Sequence, residues 1–309
     1  MESGKQRPLQ VGLYIPNGDG EMGSGNRRWR DVLELARLAE SVGFDSVWVA
    51  DHLLFRFDGV QPQGRWECWS LLAALAASTS RIRLGPLVSC VSFRAPGLLA
   101  KIAETVDEIS DGRLILGLGA GWHEPEYTAY GYPFDHRASR FEEAAEIIIR
   151  MLRDGEATFE GKYYRVENAL LRPRGPREGK MPIMIGTTGE RLLRFAARHA
   201  DIWNTTWVDD PAAIPPLREQ VDAACEAVGR DPATLSRSAC VYLDLPGAQG
   251  VWSWTETQRP PRPREPEEAA EYLRSFAAEG INEVMLWLDP PGPRGVEAFA
   301  ATLELLDRG

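Results

Sequence analysis

The order of apolar segments predicts an α/β protein, a (β/α)8 TIM barrel with insertions at its C-terminal mouth. Two observations point there. About eight short apolar runs of strand character are each followed by a segment with helical apolar spacing, and the alternation spreads evenly along the chain. Eight such units close most economically into a barrel whose strand carboxyl ends face one mouth. An open doubly wound sheet is the runner-up, and it fits less well because no dinucleotide-type fingerprint opens the first unit. Residues 1–309 read as a single domain.

Leu9 to Ile15 reads as the first strand, followed by a loop rich in Gly and Asn through Asn26. Val32, Leu35, Ala36, Leu38 and Ala39 then recur at helical spacing within Trp29 to Val42, and Gly43 stands where a left-handed cap belongs. Ser46 to Ala50 is the second strand, residues 53 to 66 a loop, and Glu67 to Ala77 a helix. Ile82 to Cys90 forms the third strand; Pro86 to Ser92 lacks alternation and starts with a proline, so a bulge is expected there. Pro96 to Ile109 is a helix and Arg113 to Leu118 the fourth strand. After an inserted loop, Arg137 to Leu152 makes a long amphipathic helix. The alternation then breaks: Ala157 to Phe159 and Tyr163 to Val166, extended through Leu171, read as a hairpin, and Pro173 to Lys180 as a basic loop. It resumes with strand Ile183 to Ile185, helix Arg191 to His199, strand Ile202 to Trp203 and a helix over 211 to 228. Ser238 to Leu243 is a strand, the Pro-rich run Arg259 to Arg264 a surface excursion, and helix Pro266 to Ala278, strand Glu283 to Leu288 and helix Val296 to Asp307 complete the order.

Composition narrows the function. A chain with 44% hydrophobic and 26% charged residues is able to bury a large core, and a net charge of -10 argues against a general nucleic-acid binder. Cys68, Cys90, Cys225 and Cys240 are scattered, and the four histidines lack metal-ligand spacing, so free thiols and no metal are expected. Met1 to Pro8 is short and polar, unlike a secretion signal, and no membrane partner is indicated; the expected location is cytoplasmic.

The strand Ser46 to Ala50 runs straight into Asp51 and His52, two ionisable groups at the strand end where α/β folds place chemistry. Two readings stand here: a cap with a structural histidine, or a pair facing a ligand. A barrel would gather with them Val88-Ser89-Cys90, Gly119-Ala120-Gly121-Trp122, Gly186-Thr187-Thr188-Gly189 and Asn204-Thr205-Thr206. Few of these are charged, which suits a flat, partly apolar cofactor better than a metal or a nucleophilic triad. Gly186 to Gly189 sits between a strand and a helix, where free amides and hydroxyls hold a phosphate, although a plain threonine cap is the alternative. The glycine run Leu116 to Gly121 and the charges of His123, Glu124 and Glu126 are weak signals alone.

Taken in order, Gly43-Phe44-Asp45-Ser46-Val47-Trp48 with Asp51-His52, Thr79 to Gly85, Asp107 to Arg113, Gly119-Ala120-Gly121-Trp122 with Glu126-Tyr127, and Ala196 to Trp203 resemble the luciferase-like flavin monooxygenase superfamily, especially its coenzyme F-420-dependent oxidoreductase branch. The resemblance covers Leu9 to Asp201, with a weaker tail. It implies a (β/α)8 barrel with insertions, with the isoalloxazine or deazaflavin ring lying against a bulge at Leu87, Val88, Ser89 and Cys90 that often includes a non-proline cis peptide, here near Leu87-Val88. It matches Asp51 and His52 to the pair beside the ring, with His52 as general acid or base, and Gly186, Thr187, Thr188 and Gly189 to the phosphate-binding turn. Asn204, from a neighbouring strand end, completes the expected cofactor-binding set.

The resemblance also has a gap. Some F-420-dependent dehydrogenases carry a carboxylate directly after the glycine run, where this chain has Trp122, so that acid is not carried over and Glu124 or Glu126 is only a neighbour. Trp66, Trp122, Trp203 and Trp207 favour an apolar or aromatic substrate. The expected function is F-420-dependent hydride transfer to such a small molecule. The alternatives are an FMN-dependent monooxygenase using reduced flavin and oxygen, a non-catalytic flavin-binding protein and an unrelated metal-dependent barrel hydrolase. A homodimer is the default assembly for such a family.

Overall fold

The computed structural model describes residues 7–19, 21, 28–250 and 261–308. Residues 20 and 22–26 of the expected Gly/Asn loop, and Arg259 and Pro260 of the Pro-rich run, lie outside the described residues. Eight strand positions form one parallel sheet: β1 Gln10–Ile15, β2 Ser46–Val49, β3 Arg83–Pro86 resumed at Ser89–Cys90, β4 Leu116–Gly119, β5 Ile183–Gly186, β6 Ile202–Val208, β7 Ser236–Asp244 and β8 Glu283–Asp289. Around the ring β2 pairs with β1, β1 with β8, and pairing continues through β7, β6 and β5 to β4.

The third strand closes the circle in two pieces. Its first half lies on β2, with Leu84 opposite Val47, and its second half lies on β4, with Ser89 opposite Leu118 and Cys90 opposite Gly119. Between them the Leu87–Val88 peptide is cis. The single strand Ile82 to Cys90 read from sequence is therefore broken where the bulge was expected.

The helices α1 Trp29–Val42, α2 Cys68–Ser78, α3 Pro96–Ile109, α4 Arg137–Asp154, α5 Glu190–His199, α6 Ile214–Glu226, α7 Pro266–Ala278 and α8 Pro293–Asp307 follow strands β1 to β8 in turn. Each presents an apolar stripe to the outer face of the sheet, as Val32, Leu35, Ala36 and Ala39 do on α1, which ends at the left-handed Gly43 (φ 101°). Alternation along each strand divides the core. Val47, Val49, Ile183, Ile185, Val284 and Leu286 face the helices, whereas Trp48, Ile115, Met184, Cys240 and Met285 fill the barrel interior. At the amino ends of the strands the buried Glu283 accepts a hydrogen bond from Ser46 Oγ, which in turn accepts one from Trp48 Nε1 at 2.7 Å, while Arg83 lies 3.4 Å from the carboxylate.

Several expected loops hold structure. Residues 53 to 66 contain the small ladder Leu54–Phe55 with Gln63–Gly64, and the insert before α4 contains the short helix Glu124–Tyr130. The Glu156–Glu160 and Arg165–Leu170 hairpin is present as read. The basic loop Pro173 to Lys180 has a local use: Arg174 and Arg177 pair with Glu104 and Asp107 of α3. No helix among the described residues is long and apolar enough to cross a membrane.

Candidate active site

The carboxyl ends of β2 to β6 enclose a cavity of about 1100 Å³. His52, three residues beyond β2, stands on its wall with a side chain 17% exposed. Its Nδ1 lies 2.8 Å from Glu126 Oε1, and the other Glu126 oxygen accepts the Leu53 amide at 2.9 Å. The ring packs on Phe55 (4.5 Å between centroids) and meets the edge of Trp122 at 5.6 Å. His52 Nε2 has no hydrogen-bond partner among the described residues. Glu126 is delivered by the short helix after β4 and is 1% exposed. Nearby His123 accepts the Arg56 amide through Nε2 at 3.0 Å, and burial lowers its pKa.

Asp51 borders the same cavity, yet its oxygens are engaged elsewhere. They accept Ser89 Oγ at 2.9 Å, the Cys90 amide at 3.0 Å and the two Arg94 nitrogens at 2.6 and 2.9 Å. Arg94 also reaches Glu67, the cap residue of α2. Burial alone would push the Arg94 pKa down, but the two carboxylates outweigh it and the pKa is raised. Asp51 thus clamps the second half of β3 to the end of β2. Ser89, expected on the cofactor wall, lies behind it instead: fully buried, it donates to Asp51 and accepts Trp69 Nε1 at 3.0 Å. Alternation along β3 explains the correction, since neighbouring side chains point to opposite faces. Leu87, Val88 and Cys90 do line the cavity; the Cys90 thiol, 3.0 Å from Tyr127 Oη, is pushed up to about 12 by burial.

The glycine run has a steric cause. A Cβ on Gly119 would stand 2.5 Å from Val88 Cγ2, and Gly121 combines a positive φ of 72° with a Cβ position that would collide with the Tyr127 hydroxyl. Both are small because the displaced β3 segment and the Tyr127 ring occupy that space.

At the far end of the cavity two helix starts converge, those of α4 and α5, bridged by Arg191 of α5, which donates to Ser139 and pairs with Glu142 of α4. Neither start has a side-chain cap: His136 and Gly189 occupy the cap positions without capping bonds. Thr187 Oγ1 accepts the Gly189 amide at 3.3 Å, a bond within the turn. Gly186, Thr187, Thr188 and Gly189 all line the cavity; Glu190, which would oppose an anion, borders it too, with an exposed side chain paired with Arg194. Arg137, at the start of α4, lines the cavity, donates to the Gly121 carbonyl at 2.6 Å and lies over Phe134, with no carboxylate partner among the described residues.

On the β6 side, Asn204 Nδ2 donates to Ser238 Oγ at 3.0 Å, and the buried Thr205 hydroxyl on the cavity wall has no partner among the described residues. The tryptophans divide. Trp122 (54% exposed) and Trp207 line the cavity, Trp66 does not, and Trp203 is a core residue whose Nε1 donates to the Thr187 carbonyl at 2.7 Å.

A family model for luciferase-like monooxygenases matches residues 9–283. The chain belongs to this family. It is 36% identical over 186 residues to an F420-dependent glucose-6-phosphate dehydrogenase of Microbacterium testaceum (59% of this chain, 54% of the relative). It is 30% identical over 243 residues to the pyrimidine monooxygenase RutA of Stutzerimonas stutzeri (72% and 65%). The chain thus spans between about half and two thirds of the length of these curated relatives. In fold it is similar to an F420-dependent secondary alcohol dehydrogenase solved with an F420-acetone adduct, with a TM-score of 0.78 at 21% identity over 95% of this chain and 99% of the other. The relatives include F420-dependent oxidoreductases and a pyrimidine monooxygenase. A flavin or deazaflavin fits the residues present: an apolar wall at Leu87, Val88 and Ala120, an unpartnered buried hydroxyl at Thr205, and uncapped helix ends for a phosphate.

Sequence reading left three residues of this site unassigned: Glu126, Arg94 and Arg137. The available signals were a carboxylate four residues after Trp122 and lone arginines directly after an apolar strand and at a helix start.

Proposed function

We propose that this protein transfers a hydride between coenzyme F-420 and a small, neutral, apolar or aromatic substrate, with His52 handling the accompanying proton. The observation that carries the reading is His52 itself: an imidazole on a cavity wall, one nitrogen held by a carboxylate and the other without a partner among the described residues. When bound, the deazaflavin supplies the hydride-exchanging carbon. Leu87, Val88 and Ala120 would pack against its ring, while the turn Gly186 to Gly189, the α4 and α5 helix starts and Arg137 would hold its phosphate. Asp51 acts here as a positioning residue through Arg94, Ser89 and Cys90. Trp122, Phe134 and Trp207 offer apolar faces to the substrate, and the carboxylates at the His52 end are already engaged, which favours a neutral molecule.

The use of F-420 by the dehydrogenase relative supports this choice of cofactor. The kinship with RutA supports a second reading, an FMN-dependent monooxygenase in which His52 keeps its role. Spectroscopic titration with each cofactor separates the two: saturable binding of F-420 without FMN binding supports the first, and FMN binding alone replaces it with the second. His52→Gln is expected to lower kcat by about 10² to 10⁴ while cofactor affinity stays within about tenfold. Unchanged turnover would make His52 structural.

A further inference from the structure

Glu126 stands four residues beyond Trp122, and its carboxylate meets two groups at once, His52 Nδ1 and the Leu53 amide. The Leu53 amide can only donate, so Oε2 is an acceptor. Oε1 faces His52 Nδ1 at 2.8 Å, and an ionised carboxylate has no proton to offer. With Glu126 as the carboxylate anion, the hydrogen between them belongs to the imidazole. We propose that Glu126 is a positioning residue that locks His52 as the Nδ1–H tautomer and so leaves Nε2 as the atom that exchanges a proton with substrate; the second half rests on the role of His52 proposed above.

The surroundings leave little freedom for another arrangement. Glu126 is almost wholly buried in the first turn of its short helix, and the next residue, Tyr127, anchors that helix by donating its hydroxyl to the Ala120 carbonyl at 3.0 Å beside Cys90. The His52 ring is pinned by Phe55 and the edge of Trp122. His123, the other imidazole nearby, is committed through Nε2 to the Arg56 amide, so it does not compete for the carboxylate. Glutamine cannot replace Glu126 in full. Its single oxygen satisfies either Leu53 N–H or His52 Nδ1–H, and its NH2 group turns a donor toward the other. In the locked state the neutral ring accepts a proton at Nε2, the imidazolium releases it from Nε2, and Glu126 takes no part in the transfer.

Ring-nitrogen NMR of the full-length protein with 15N-labelled histidine tests this, with the His52 signals assigned by their loss in His52→Gln. The expected result, at a pH where the ring is neutral, is a protonated Nδ1 and an unprotonated Nε2 for His52, with that single tautomer lost in Glu126→Ala and kcat lower by about tenfold or more at unchanged cofactor affinity. An Nε2–H tautomer in the unmodified protein overturns the proposal without any Glu126 variant. Persistence of Nδ1–H in Glu126→Ala, which leaves no acceptor at that position, overturns it as well. If the tautomer changes and turnover does not, the lock stands and the proton-handling role of His52 falls.

Discussion

Replacing Asp51 by asparagine separates holding the site together from reacting in it. The carboxylate is 2% exposed and collects four hydrogen bonds, two of them from Arg94, whose side chain is 11% exposed. An asparagine oxygen can still accept the Cys90 amide, but its NH2 then faces the guanidinium, donor against donor. Removing one member of a buried ion pair costs about 3–5 kcal/mol, and the half-exposed Glu67 keeps Arg94 partly compensated, which places Asp51→Asn near ~3 kcal/mol. For a chain of 309 residues with an unfolding entropy of about 2.1 cal/mol/K per residue, that is a fall in Tm of roughly 5 °C. The same loss frees the Leu87 to Cys90 wall, so cofactor affinity is expected to weaken by about tenfold or more. Differential scanning calorimetry and a cofactor titration measure both. A variant with Tm within about 1 °C of the parent, intact cofactor affinity and abolished turnover would refute the positioning role and put Asp51 on the reacting atoms.

Two further outcomes follow from the packing. Burial raises the pKa of Glu283 against the opposing pull of Arg83 and Ser46, so the folded chain holds this proton to higher pH than the unfolded chain does. Its contribution to stability is complete below the unfolded value near ~4.3 and is lost as pH rises through the folded value; Glu283→Gln should therefore gain Tm relative to the parent as the pH of a thermal melt is raised from about 4 to 7, and a gap that narrows instead contradicts the account. Gly121→Ala places a methyl group on the Tyr127 hydroxyl at a backbone angle that disfavours side chains, with an expected cost of about 1–3 kcal/mol in urea unfolding and disturbed packing beside Cys90; an unchanged midpoint would mean that the turn has room.

Sequence alone determined the barrel, because apolar period is local information: each strand and helix needs one buried stripe, and residues such as Val47, Val49, Leu35 and Ala39 carry it without reference to distant parts of the chain. It also placed Asp51, His52 and the turn Gly186 to Gly189 at strand ends, hence on one mouth, and located the irregularity in the third strand through Pro86. Tertiary structure decided what those groups touch. Glu126 reaches His52 across 74 positions and Arg94 reaches Asp51 across 43, separations over which no spacing rule acts. It also turned Ser89 to the back of the wall and Trp203 into the core, because the face a strand residue takes depends on register with its neighbours. Strand ends are legible since the backbone period sets them; hydrogen-bond partners are not, since a side chain pairs with whatever folding brings near it.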